Sequence, residues 1–148
     1  MLPSTQSSGW NMFMEWHEQG ACPASSYAGV WNNGNGTARL LLRVVGGDPG
    51  HPTWRWIEDP ELLQYDHWYE VLVRMKWSPD PAIGYVEWWV DGERKFSGNF
   101  PTLYEEVNGC LSGVLFETGH YRKTATWTDT LYWDGVTVGP TRSSVASG

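Results

Sequence analysis

From Tyr69 to Trp77 the chain repeats with a period of two. Tyr69, Val71, Val73, Met75 and Trp77 fall on one face, and Glu70, Leu72, Arg74 and Lys76 fall on the other. That period excludes a helix and requires a strand with one buried side. A Ser-Pro-Asp-Pro turn follows, and then a second run in which Val86, Trp88 and Val90 share a face opposite Tyr85, Glu87 and Trp89. Asp91-Gly92 marks a further tight turn. One side of this hairpin must enter a core, so the rest of the chain has to supply a second layer. The other side carries Arg, Lys, Glu and a bare Trp89, which is how a ligand-facing sheet is furnished.

The remaining segments read the same way. In Trp10–His17, Met12, Met14 and Trp16 form one row and Asn11, Phe13, Glu15 and His17 the other. A short strand at Tyr27–Trp31 ends in Asn-Asn-Gly-Asn-Gly, a strong turn signal. Ala38–Val45 sets Arg39 and Arg43 against Leu40, Leu42 and Val44, and Thr53–Glu58 is a Trp-rich strand. Residues 59–67 are expected to make one helical turn. Val114–Lys123 and Leu131–Val138 are the last expected strands, with Leu115, Glu117, Gly119 and Tyr121 on one face of the former. No longer helical pattern appears. Many short strands between Gly, Pro and Asn turns imply an all-β fold, an antiparallel two-sheet β-sandwich or jelly roll. Residues 1–9 form a flexible lead, 10–139 one domain and 140–148 a flexible tail. Met12, Met14, Trp16, Val71, Val73, Met75, Val86, Trp88 and Val90 are the expected core.

Charge and composition narrow the function. The 148 residues carry a net charge of −7, and no basic run offers phosphate contacts, which excludes a nucleic-acid partner. No apolar run approaches the ~20 residues of a membrane span, and no signal peptide opens the given chain. Eleven residues are tryptophan, a flat, rigid side chain suited to stacking on sugar rings as well as to packing. Cys22 and Cys110 have no metal-site spacing, and the sequence leaves their pairing open.

The polar rows hold Glu15 and His17, Arg39 and Arg43, Arg74 and Lys76, Glu87 and Trp89, and Glu117 and Tyr121. These are the groups that proton abstraction next to a carboxylate requires: a cation to neutralise the carboxylate, a base, and an acid. Taken singly each has a plainer role. Arg74, Lys76 and Glu87 read as cross-strand ion pairs, and Tyr121 as a buried tyrosine. If the rows face one way, Glu15, His17, Arg74, Lys76, Trp89, Glu117 and Tyr121 line one groove.

The ordered set Met14-Glu15-Trp16-His17, Tyr69 to Ser78, Gly84 to Gly92, Gly119-His120-Tyr121-Arg122 and Leu131 to Val136 resembles a group of polysaccharide lyases, the one that contains heparin lyase I and glucuronan lyase. The likeness runs from about Trp10 to Gly139. It implies a concanavalin-like jelly roll that cleaves uronate-containing polysaccharides by β-elimination outside the cell. By position, His17 becomes a base or a carboxylate-side partner, Tyr121 the proton donor or base, and Arg122 its neighbour. Glu15, Arg74, Lys76, Trp89 and Glu117 become substrate-binding residues. Glu15 stands where the group usually has Gln, and Glu117 where it usually has Lys, so both add negative charge where a uronate carboxylate would lie. No cofactor is required. The resemblance implies a structural calcium site, for which Asp134 is the one residue to name. The group also has strands ahead of the Trp10 strand, so the chain is expected to be a fragment, a minimal version of the fold, or a protomer whose homodimer covers an open sheet edge. A non-catalytic carbohydrate-binding domain, or a structural sandwich of a secreted or virion-associated protein, are the alternatives.

Overall fold

A computed structural model describes residues 9–64, 66–124 and 130–145. Residues 1–8 of the expected lead and 146–148 of the tail lie outside the described residues. Among the described residues eight strands run β1 Gly9–Gly20, β2 Ser26–Asn32, β3 Ala38–Gly46, β4 Thr53–Glu58, β5 Val71–Lys76, β6 Tyr85–Val90, β7 Glu93–Asn99 and β8 Cys110–Arg122. They form a five-stranded sheet, β4-β3-β2-β1-β8, and a three-stranded sheet, β5-β6-β7. All pairs are antiparallel, so the fold is the β-sandwich that the period-two pattern demanded.

The core lies between the sheets. Ala28, Val30, Leu40, Leu42, Val44 and Ile57 come from the larger sheet, and Val86, Trp88 and Val90 from the smaller. Side chains of this kind contribute about 1.5–3 kcal/mol each when fully buried. β6 is central, which is why its apolar row is the clearest in the sequence. Val71, Val73 and Met75 on the edge strand β5 pack against the same core but stay half-buried. The turn from β6 to β7 places Asp91 at φ 49° and Gly92 at φ 77°, the two positive values a two-residue hairpin needs.

Three expectations are corrected. Met12, Met14 and Trp16 do not form one row, because the pairing of β1 with both neighbours shifts between Met12 and Met14. This bulge turns Phe13, Met14 and Trp16 toward the core, while Met12 joins Tyr27 and Leu41 on the opposite face. Gly29 sits against the bulge, where an added Cβ would lie 2.1 Å from the Asn11 carbonyl oxygen. Second, 59–67 make no helical turn among the described residues. The Asp59 and Pro60 carbonyls accept from the Arg39 guanidinium, and Leu63 N–H donates to Ala38 O, so the helical acceptors are taken. Third, Leu131–Val138 is not a strand. Gly135 at φ 64° breaks the extended run, and Tyr132, Val136 and Val138 stay exposed. β8, by contrast, begins at Cys110, earlier than expected, because its first residue pairs with Gly20.

Lys95 ties the two sheets together at one edge. Its ammonium lies 3.3 Å from Asp59, 3.2 Å from Glu61 and 2.8 Å from Glu93, and its side chain is only 6% exposed. The carboxylates, Glu93 first, hold its pKa above the usual lysine value despite burial. Asp59 is equally buried. Removing the cation leaves that carboxylate uncompensated, so Lys95→Ala is expected to destabilise the fold by about 3–5 kcal/mol. Chemical denaturation of the variant measures this.

Candidate functional site

Cross-strand neighbours share a face, so the register maps the outer surface of the five-stranded sheet in rows. One row crosses all five strands: Trp56, Arg43, Tyr27, Glu15 and Glu117. The next holds Glu58, Leu41, Gly29, Met12 and Tyr121. On the other side of the first row lie Trp54 and Val45, with His17 opposite Leu115. Arg39, Trp31 and Trp10 form the far row.

The structure therefore brings Glu15, His17, Glu117 and Tyr121 to one face. His17 and Tyr121 sit on either side of the Glu15–Glu117 row, their backbones about 13 Å apart along the strands. Arg122 follows Tyr121 but pairs with Asn11, so alternation turns it to the other face. Arg74, Lys76 and Trp89 are not on this face. They belong to β5 and β6, whose apolar rows enter the core, so they point away from the five-stranded sheet altogether. Alternation gives the face of a strand but not the sheet that receives it. Trp89 is also not bare: it is 7% exposed, with the Arg142 guanidinium 5.0 Å from its ring.

Arg43 is the cation at the centre. Its guanidinium stacks over the rings of Tyr27 at 4.4 Å, Trp54 at 5.2 Å and Trp56 at 5.6 Å. Its Nε and Nη2 both donate to Ser25 O, at 3.1 and 2.5 Å. Burial lowers its pKa, while Tyr27, Tyr104 and Glu15 pull the other way. The Ser25 hydroxyl donates to Glu15 Oε1, so one residue fixes both the cation and the carboxylate. Burial pushes Tyr27 up to about 12 in spite of Arg43, so its hydroxyl stays protonated and is no base. Tyr121 differs. It is 63% exposed, and its ring meets Trp10 at 5.3 Å.

Tyr27, Trp31, Trp54 and Trp56 were not singled out by sequence. The signal was there: Tyr27, Gly29 and Trp31 alternate, as do Trp54 and Trp56, onto the face that holds Arg43. Trp54 and Trp56 remain 44% and 47% exposed, flat surfaces open to a ligand.

Beside the site, Cys22 and Cys110 form a disulfide, Cα to Cα 4.6 Å, across a sequence separation of 88. Glu18 lies against it, 3% exposed, with Oε2 accepting from Tyr104 N–H at 2.8 Å. Glu18 and the two sulfurs are the one group with metal-ligand spacing among the described residues, but bonded sulfurs are not thiolate ligands. Asp134 is exposed and belongs to no such group among the described residues.

Burial pushes the Glu18 carboxyl up to about 7, against the pull of the Tyr104 N–H and His17. From about pH 4.5 to about pH 7 the folded protein thus keeps a proton that the unfolded chain has released. Stability is expected to fall by about 3 kcal/mol as pH rises through that window, then level off. Glu18→Gln should flatten the slope, since an amide oxygen still accepts from Tyr104. Denaturant midpoints at the two ends of the window measure it.

A family model described as polysaccharide lyase matches residues 2–137. No curated protein and no solved structure matches the chain.

Proposed function

The chain belongs to the polysaccharide lyase family, and from that premise we propose that it cleaves a uronate-containing polysaccharide by β-elimination on the outer face of the five-stranded sheet. One observation carries the reading. The hydrogen-bonded pair β1 and β8 puts Glu15, His17, Glu117 and Tyr121 on a single face that also holds Arg43 and exposed tryptophans.

Elimination removes the proton on the carbon next to the carboxyl group and breaks the neighbouring carbon–oxygen bond. The electron pair forms a double bond, and the leaving glycosidic oxygen takes up a proton. Tyr121 is the exposed phenol of this face, and in its ionised form it can accept the first proton and return it to the leaving oxygen. His17, two rows away, serves the carboxylate side of a neighbouring sugar. Trp54 and Trp56 stack sugar rings, and Arg43 supplies positive charge beside Glu15. Arg122, Arg74, Lys76 and Trp89 stand outside this centre. The disulfide suits an oxidising compartment, which supports a secreted protein.

Glu15 and Glu117 face each other across the strands, and like charges so placed repel. Glu15→Gln with Glu117→Lys is therefore expected to lower KM for a uronan by about tenfold, with kcat little changed. Product masses test the reaction class. Elimination yields fragments that sum to the mass of the substrate, whereas hydrolysis adds one water per cut, and added water would overturn the proposal.

A further inference from the structure

The outer face of β5-β6-β7 lies across the core from the proposed site. Its charge is opposite to that of the chain, which carries −7 overall. The outward rows are Leu72, Arg74 and Lys76 on β5, Tyr85, Glu87 and Trp89 on β6, and Arg94 and Ser97 on β7. Arg142 adds a fourth cation over Trp89. Glu87 is the one carboxylate in these rows, and the exposed Glu70, which alternates onto the same face just ahead of β5, is a second at its end, so four cations stand against two acids. A register shift between Trp88 and Trp89 is what leaves Arg94 outward while Lys95 turns aside to Asp59 and Glu61. The acids at the rim are engaged elsewhere: Glu93 with Lys95, and Asp91 with the Glu70 N–H and His67.

The cations are arranged rather than merely clustered. Glu87, its side chain 11% exposed, takes Arg74 Nη1 on Oε2 at 2.9 Å, and its Oε1 lies 3.9 Å from Arg94 Nη1. The Tyr85 hydroxyl donates to the same Oε1 at 3.1 Å. One carboxylate thereby holds two guanidinium groups whose side chains stay 58% and 59% exposed. Each guanidinium has five donors in a planar fork, so most remain free for a ligand carboxylate. An ordinary solvated face would balance its cations with acids, and here a surplus remains.

We propose that this face is a second, non-catalytic surface that holds a carboxylated polysaccharide, anchored by Arg74 and Arg94 and extended by Lys76 and Arg142. It rests on the reading that the chain acts on a uronate polymer. Its use would be retention: a long polymer held on one side stays near the site on the other. A nucleic acid fits less well, because the acidic remainder of the protein repels a dense line of phosphates.

Electrophoresis through gels containing polygalacturonate, a neutral cellulose ether or double-stranded DNA tests it, beside turnover of a short uronate oligosaccharide. Polygalacturonate, and not the neutral polymer, is expected to retard the protein, less so as salt is raised. Arg74→Gln with Arg94→Gln should weaken retardation about tenfold or more. Turnover of the oligosaccharide should not change. Gln at either position can still donate to the buried Glu87 carboxylate, and the Tyr85 hydroxyl still does. The variant should therefore unfold cooperatively at a somewhat lower temperature than the wild type, and retardation is read where both are folded. Absent retardation, retardation unchanged in the double variant, or equal Arg74-dependent retardation by DNA would each overturn the proposal. Retardation without turnover would instead remove the catalytic reading and leave this surface standing.

Discussion

Tyr121→Phe is expected to cut turnover of a uronan by about 10²–10⁴-fold while changing binding by no more than about twofold. The ring stays, and so does its contact with Trp10 at 5.3 Å, so the sheet and its outer surface are preserved. On the proposed mechanism the variant loses a hydroxyl that acts in the transition state, where its effect would appear in kcat. Tyr27, two strands away on the same face, is no substitute, because its hydroxyl is buried and held protonated with a pKa of about 12. Steady-state kinetics with binding measured on the inactive variant separates the two effects. Retention of turnover within about threefold would remove Tyr121 from the chemistry.

Loss of the Cys22–Cys110 disulfide has the largest expected effect on stability. The bond joins the β1–β2 loop to the start of β8, 88 residues on. In the unfolded chain it closes a loop whose entropy, once released, is equivalent to about 4–5 kcal/mol. The neighbouring contacts depend on the same closure. Ala21 N–H donates to Gly109 O at 2.8 Å, and Val45, Tyr104 and Cys110 form their own small cluster. The double variant Cys22→Ala, Cys110→Ala should therefore unfold at much lower denaturant concentration, and reduction of the wild type should do the same. An unchanged midpoint would mean that the unfolded state is already restricted.

How much was legible in the sequence depended on what each strand buries. β6 could be read outright, because a central strand with Val86, Trp88 and Val90 on one side has only one satisfactory orientation. β1 could not be read past Met12. A bulge adds a residue without any mark in the pattern, so Met14 and Trp16 were assigned to the face of Met12. That bulge leaves Glu15 and His17 on the outer face, so their row survived the error. Arg74, Lys76 and Trp89 were grouped with them because alternation carries no information about which sheet a strand joins. The cysteines meet through long-range packing that spacing alone does not encode. Leu131–Val138 has strand composition, yet it finds no partner strand among the described residues. Tyr27 was overlooked because it lies in a short strand with few charges, although the guanidinium of Arg43 rests on its ring.

The measurement that bears most directly on the account is the ultraviolet absorbance of the unsaturated sugar, followed while the protein is incubated with a panel of uronans. Absorbance should rise with at least one uronan, with little or no rise in Tyr121→Phe. If no uronan yields unsaturated product while glycans still bind the face of Trp54 and Trp56, the chain has kept a binding surface without the elimination chemistry, and the central claim is contradicted.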